Sequence, residues 1–324
     1  MKARLCIYND RYDVSEMIVN QLANDFLVTS QQRRRSIFRD AWYLQQFDLV
    51  HTSNPQAGLL VCLIAKFCFR IRYTITLNGL AWVEYQEMPT LLRWASFSIL
   101  WLGLHYTDHL FPLSIFTKEE YLKKFPFLKK REITIPYLSY TPLQPCSQPS
   151  TGHQIITVTS FKYRHKCFPL LNLRPILANL PERYTFLIIG KDGPYRKVFE
   201  KLYIDEPRVK ILTNVEDMHT YYCRSRIYLH YSNLDTLGRS ILEAELLKLP
   251  CVVVEGYHGS SEAIPGQTVK NDPVAIAEAL LEAEKQSDKD SELIAIWVKA
   301  NFSPSVVAEN YKKGFFRALV RDRN

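Results

Sequence analysis

The stretch Asn233-Leu234-Asp235-Thr236-Leu237-Gly238-Arg239-Ser240-Ile241-Leu242-Glu243-Ala244-Glu245, running on through Leu249-Pro250 into Cys251-Val252-Val253-Val254, sets the architecture. It passes from a polar loop into a helix, and from the helix into an apolar strand. Gly238 marks the point where loop becomes helix, and the first turn of a helix leaves backbone N–H groups unpaired under a partial positive charge. Such a helix start favours an anionic ligand. Asp235 and Glu243 lie eight positions apart, so one carboxylate stands in the loop, the other in the first turns of the helix, and both can border one ligand. Carboxylates accept paired hydroxyl hydrogen bonds, which suits sugar and ribose diols. An acidic pair at a helix start also favours the helix dipole with no ligand at all.

Upstream of this stretch, Ile155 to Thr159, Thr185 to Ile189 before Gly190, Val209 to Leu212 and Ile227 to His230 read as strands, each followed by a helical segment. Strands alternating with helices predict a parallel sheet whose functional loops lie at the strand C-terminal ends. The first half repeats the pattern: Phe47 to His51 as a strand, Asn54-Pro55 as a turn, Ala57 to Phe69 as a helix, then Tyr73 to Leu77 closed by Asn78-Gly79. A basic region from Lys118 to Arg131 leads to Ile133 to Tyr137, expected as a further strand. Between Ser139 and Gly152 three prolines stand among Ser and Thr residues with no periodic apolar pattern, which marks a linker. The expected fold is therefore α/β, with two Rossmann-like doubly wound domains facing a cleft: residues 1–145, then 146–302, then a C-terminal helix over 303–324. That last helix carries Val306, Val307, Tyr311, Phe315 and Leu319 at helical spacing.

Composition agrees with two folded domains, since 324 residues exceed one usual domain and 47% hydrophobic against 23% charged residues supply cores without a disordered balance. Forty-one Lys plus Arg against 33 Asp plus Glu leave +8, spread along the chain, which fits anionic ligands or an anionic membrane surface better than nucleic acid. Seven cysteines, at 6, 62, 68, 146, 167, 223 and 251, form no C-x-x-C pair and are odd in number, so neither a zinc site nor a complete disulfide framework is indicated. A reducing cytoplasm is the expected location, in keeping with an N-terminus that lacks a signal-peptide pattern. The apolar segment Leu91 to Leu104 is shorter than the roughly 20 residues that span a bilayer. It reads either as a buried helix or as a helix in the lipid interface anchored by Trp94 and Trp101. Lys118, Lys123, Lys124, Lys129, Lys130 and Arg131 lie near it in sequence and would attract anionic headgroups, or simply form a solvated face.

Two more segments carry chemistry. Val158-Thr159-Ser160-Phe161-Lys162-Tyr163-Arg164-His165-Lys166 follows a predicted strand, and Lys162, Arg164 and Lys166 can grip a diphosphate through charge-assisted hydrogen bonds. Gly190-Lys191-Asp192-Gly193-Pro194 reads as a sharp turn at a strand end, where glycine permits close backbone approach.

Taken in order, these segments resemble the retaining, nucleotide-sugar-dependent glycosyltransferases of the GT-B architecture, the group 1 or family 4-like enzymes. The family signature of Glu, Gly-Phe-Gly, four residues, Glu-Ala and a closing Pro-Val-Val is similar to Asp235, Thr236-Leu237-Gly238, Arg239 to Leu242, Glu243-Ala244 and Leu249-Pro250-Cys251-Val252-Val253. Lys162 to Lys166 resembles its diphosphate loop, Phe186 to Pro194 its Ile-Val-Gly-x-Gly-Pro turn, and Val209 to Val215 its Val-x-Phe-x-Gly-x-Val strand. In the first half, Asp48-Leu49-Val50-His51, Thr74 to Gly79, Thr107 to Ser114 and Ile135-Pro136-Tyr137 resemble further family segments, so the likeness runs from about residue 46 to 266.

The resemblance implies retaining transfer from a nucleotide-diphosphate sugar to an acceptor hydroxyl of a glycan or glycolipid. It implies Lys162, Arg164, Lys166, Gly190, Asp235, Leu237, Gly238, Arg239 and Glu243 on the donor side, with Asp235, Lys166 and His51 as catalytic candidates. Asp10, Asp13 and Asn78 are expected on the acceptor side. No Asp-x-Asp motif is present and side-chain cations can neutralise the diphosphate, so no divalent metal and no further cofactor is expected. Three departures matter: Asp235 replaces a Glu, Asn78 replaces a His and cannot serve as a general base, and Asn9 to Ser15 holds no glycine where the family has a glycine-rich loop. They support a rival reading as a non-catalytic nucleotide-sugar binder of the same fold. An epimerase acting on the nucleotide sugar without an acceptor is the other rival.

Overall fold

The computed structural model describes residues 2–8, 16–32, 36–146, 152–266 and 268–320. The chain forms two units, Met1–Leu138 with Pro304–Asn324, and Ser139–Ser303. In the first, β1 (Ala3–Tyr8), β2 (Phe26–Gln31), β3 (Leu49–Thr52), β4 (Arg72–Leu77) and β5 (His109–Pro112) make one sheet in the order β2-β1-β3-β4-β5. In the second, β6 (Gln154–Ser160), β7 (Thr185–Lys191), β8 (Val209–Thr213), β9 (Ile227–His230) and β10 (Cys251–Val253) follow the order β10-β9-β6-β7-β8. Every pairing in both sheets is parallel. Buried parallel strands demand nearly continuous apolar runs, and Phe186 to Ile189 or Ile227 to Leu229 supply them.

Counted from its own first strand, the second sheet reads 3-2-1-4-5, the order of dinucleotide-binding folds, while the first reads 2-1-3-4-5, the flavodoxin-like variant. The strand order reverses between β1 and β3 in one sheet and between β6 and β9 in the other. Ligands of open α/β sheets bind outside the strand C-terminal ends at such points. In the second unit this places the loops after β6 and β9 together. Its core gathers Ile155, Phe186, Ile188, Leu229 and Val252 from the sheet with Leu173, Ile176 and Leu280 from the helices. In the first unit, the helix Pro304–Val320 lays Val307, Tyr311 and Phe315 against Leu5, Phe26 and Phe111.

Three expectations change. Ile133 to Tyr137 is not a strand; only Ile133 bridges Leu110, because Pro136 has no N–H to continue the ladder and Tyr137 turns the chain with φ 63°. Gly190 and Lys191 do not begin a turn but continue β7. The helix Thr90–Tyr106 is not buried: Leu100, Gly103 and Leu104 face inward, while Leu91 is 82% and Trp94 67% exposed. A disulfide joins Cys146 to Cys223, residues 77 apart in sequence, and the other five cysteines are free, so no complete framework forms.

Candidate functional site

The loop that leaves β9 is fixed on two sides, because the Asn233 N–H donates to the His165 carbonyl at 3.0 Å and the Gly259 N–H to the Asp235 carbonyl at 3.1 Å. Its central side chain is Asp235. Lys166 Nζ lies 3.3 Å from Asp235 Oδ1, the Thr236 N–H donates to the same oxygen at 2.9 Å, and His230 Nε2 stands 4.0 Å from Oδ2. The Lys166 and Asp235 side chains are 33% and 17% exposed, so the pair is partly shielded yet still reachable. Burial pushes the Asp235 carboxyl up, but Lys166, His230 and the Thr236 N–H outweigh it and hold its pKa below the ordinary value. The carboxylate is therefore ionised at neutral pH, beside the Lys166 ammonium.

Gly238 ends the loop with φ +92° and ψ 81° and precedes the helix Arg239–Leu246 with no side-chain cap. A Cβ there would fall 2.8 Å from Ile241 Cδ1, so both conformation and space select glycine. Leu237 is fully buried and offers a ligand only its backbone. Arg239, at the first helical position, is half-buried, and its charge acts on Glu243. Burial raises the Glu243 pKa, with Thr141 through its hydroxyl and N–H, Arg239 and Tyr222 partly offsetting it. The Tyr222 hydroxyl donates to Glu243 Oε2 at 3.4 Å. Both Asp235 and Glu243 add to the effect of burial in raising the pKa of the Tyr228 phenol, which is 2.7 Å from Ser240 Oγ.

The three cations of the β6 loop separate. Lys166 pairs with Asp235, whereas exposed Lys162 lies over the Tyr163 ring at 5.1 Å and exposed Arg164 over Phe168 at 4.6 Å. Gly190 has a packing reason for being glycine: a Cβ would lie 2.7 Å from the Phe161 ring beneath β7. At the expected turn, Gly193 lets its backbone approach Phe161 and Lys162, where a Cβ would come within 2.4 Å of the Lys162 nitrogen.

His230 was not among the candidates from the sequence. It ends β9, is 3% exposed, and accepts or donates at Nε2 with Ser260 Oγ at 3.0 Å, while Nδ1 has no hydrogen-bond partner among the described residues. Burial pushes its pKa down to about 4, with His258 and Lys166 adding to the effect and Asp235 opposing it, so the ring is neutral at pH 7. The available signal was positional: a polar residue closing the apolar run Ile227-Tyr228-Leu229 at the ligand-facing end of a strand.

In the first unit the candidates fare differently. His51 is completely buried, with Nδ1 2.8 Å from Thr74 Oγ1 and Nε2 3.1 Å from Thr76 Oγ1, and the rings of Phe111, Tyr311 and Phe315 surround it. Both ring nitrogens thus have threonine hydroxyl partners within the core of the first unit. Asn78 is exposed just beyond the C-terminal end of β4. Asp10, Asp13 and the rest of the Asn9 to Ser15 loop lie outside the described residues.

Residues 152–286 match the family model described as "Glycosyl transferases group 1". A curated viral protein (isolate Australia/Victoria), named "Putative glycosyltransferase ORF31", is 24% identical over 176 residues, which is 52% of this chain and 54% of that protein. The chain thus spans about half the length of this curated relative. Among solved structures, sucrose-phosphate synthase from Thermosynechococcus elongatus superposes with a TM-score of 0.77 at 15% identity, over 98% of this chain and 99% of the other. HepE of Anabaena, solved in complex with UDP-glucose, gives 0.74 at 13% identity over 97% and 99%. A glycosyltransferase from Rickettsia africae gives 0.71 at 16% identity over 99% and 100%. At these identities the likeness is one of fold, the two-sheet GT-B architecture. Sequence and fold agree: the chain resembles the group 1 glycosyltransferases, with the family model matching its second unit.

Proposed function

We propose that this chain, with a second unit that matches the group 1 glycosyltransferases, is a retaining glycosyltransferase that moves a sugar from a nucleotide-diphosphate donor to an acceptor hydroxyl. The observation that carries the reading is the Lys166–Asp235 pair beside the glycine-started helix, at the point where the second sheet reverses its strand order. As the C1–O bond of the donor breaks, negative charge grows on the β-phosphate and positive charge on the sugar ring. Fixed cations and backbone N–H groups at the phosphate then lower the barrier. In this reading Lys166 and the N–H groups around Gly238 hold the phosphate, with Lys162 and Arg164 adding positive potential from the rim. Asp235 accepts hydroxyl hydrogen bonds from the transferred sugar and stabilises the positive ring. Glu243 accepts those of the ribose. These side-chain cations replace a divalent metal, so a chelator leaves transfer intact. Asn78 and, outside the described residues, Asp10 and Asp13 are assigned to the acceptor side.

The acceptor is a glycan or a lipid-linked glycan, and the protein works in the cytoplasm against an anionic membrane face. Support for the membrane comes from the helix Thr90–Tyr106, which exposes Leu91, Leu92, Trp94 and Trp101. The basic segment packs on the same helix, with Lys124 Nζ 5.8 Å from the Phe97 ring and Phe127 6.0 Å from Trp101. No described helix is long and apolar enough to cross a membrane. Apolar anchors flanked by cations fit an anionic lipid interface. Co-sedimentation with anionic phospholipid vesicles, lost in Trp94→Ala/Trp101→Ala, is the expected result; equal pelleting of both proteins contradicts the membrane role.

A second reading, a nucleotide-sugar binder without turnover, is favoured by the burial of His51 and by Asn78, which has no titratable proton. Incubation with labelled UDP-, GDP- and ADP-sugars and a mixture of glycan and glycolipid acceptors separates the two. Transfer with the donor's anomeric configuration kept, unaffected by EDTA, is the expected outcome. Donor binding with neither transfer nor hydrolysis establishes the binder.

A further inference from the structure

We propose that Cys146, His219 and Cys223 form a zinc-type metal site when their disulfide is reduced, with no part in the proposed transfer chemistry itself. Their Sγ and imidazole nitrogen donors all lie within 4.8 Å of one another. His219 and Cys223 are one turn apart on the helix Met218–Arg224, with His219 Nε2 3.4 Å from Cys223 Sγ. A tetrahedral zinc ion with ordinary bond lengths separates a sulfur from a nitrogen ligand by about 3.5 Å, so this edge of the site is already in place. The Cα atoms of Cys146 and Cys223 are 5.5 Å apart, and small side-chain rotations let both sulfurs face one ion. The Gln144 carbonyl, 2.8 Å from His219 Nε2, or a water completes the fourth position.

In a reducing compartment a disulfide does not persist, and two thiols and an imidazole then converge without an occupant. Soft thiolate and imidazole donors in this number select zinc over magnesium or calcium. A thiol reductant supplies two electrons and two protons, opening the S–S bond to two thiols as the reductant closes to its own disulfide. Binding of the ion releases both thiol protons to solvent, and the His219 proton moves from Nε2 to Nδ1 so that the Nε2 lone pair can coordinate. All three side chains are partly exposed, and both cysteines line a cavity of about 490 Å³, which gives the reductant and the ion an entry path.

The location gives the site a purpose. Thr141, five residues before Cys146, and Tyr222, next to Cys223, both hydrogen-bond Glu243. A disulfide joins the two segments that hold this carboxylate under oxidising conditions, and a metal ion joins them under reducing ones.

The test uses the untagged full-length chain, reduced with a phosphine that leaves zinc unchelated, loaded with zinc chloride and desalted. The reduced wild-type protein is expected to retain about one equivalent of zinc, and the oxidised protein, Cys146→Ser and Cys223→Ser none. His219→Ala, which leaves the disulfide and all seven cysteines in place, is expected to bind zinc at least tenfold more weakly with its thermal unfolding unchanged. The exposed thiol of Cys68 is common to every sample and cancels in the comparison. Zinc retention by the reduced wild type no greater than by Cys146→Ser, or equal affinity in His219→Ala, overturns the site.

Discussion

Two histidines lie near the C-terminal ends of central strands, His51 in β3 and His230 in β9, and both are buried. The first has Thr partners on both nitrogens and aromatic rings on its other sides. The second has a buried Nδ1 with no hydrogen-bond partner among the described residues and a carboxylate 4.0 Å from Nε2. Residue type and strand position are nearly the same; what comes next in space differs. His51 is covered by Tyr311 and Phe315 from a helix at the far end of the chain, whereas His230 leads directly into the loop that carries Asp235 and Gly238. A polar strand end becomes part of a site when the following loop supplies charge, and part of the core when a distant element closes over it.

The contrast breaks most visibly at Asp235. Asp235→Asn keeps the shape of the loop but removes the charge that the proposed function sets against the transferred sugar. Transfer is expected to fall about 10²- to 10³-fold, the cost of losing one fixed electrostatic contact at a reacting centre, or about 3–4 kcal/mol. Steady-state rates at saturating donor measure this, and a change below fivefold removes Asp235 from the chemistry.

Next in size is a pH effect on stability. The folded-state pKa of His230, lowered from 6.5 to about 4 by burial, lies below its unfolded value, so between these values the unfolded chain binds the extra proton. This contribution to stability is full above pH 6.5 and declines as pH falls through the window, by about 3 kcal/mol in total. Denaturant unfolding at pH 7 and pH 4.5 should show a steeper loss in the wild type than in His230→Gln; parallel losses would mean that the ring titrates normally.

His51→Ala sharpens the other side. Loss of two buried hydrogen bonds and of a ring from the aromatic cluster is expected to cost about 2 kcal/mol of stability. Nucleotide binding in the second unit should stay at the wild-type level. Unchanged stability with weakened nucleotide binding would return His51 to the candidate site.

Much of this organisation was legible in the chain. Strand-helix alternation gave both parallel sheets, because strands buried on both faces must be apolar runs and their crossovers must be helical. Lys166 and Asp235, singled out from a basic loop after one strand and an acidic loop after another, form an ion pair, and Gly238 takes a positive φ at the helix start. The rest depended on contacts that spacing does not encode. Pro136 ended the expected strand at Ile133 through a missing N–H, Gly190 made room for Phe161, and Cys146 met Cys223 across 77 residues. His230 escaped notice for the same reason, since its partners Ser260 and Asp235 come from two later segments.

Calorimetric titration of UDP, GDP and ADP into the wild type and Lys166→Ala tests most directly whether the second unit grips a diphosphate. One nucleoside diphosphate should bind the wild type at micromolar concentration, and Lys166→Ala should weaken it at least tenfold, about 1.4 kcal/mol. Equal affinity in the two proteins, or no binding of any of the three to the wild type, contradicts the account.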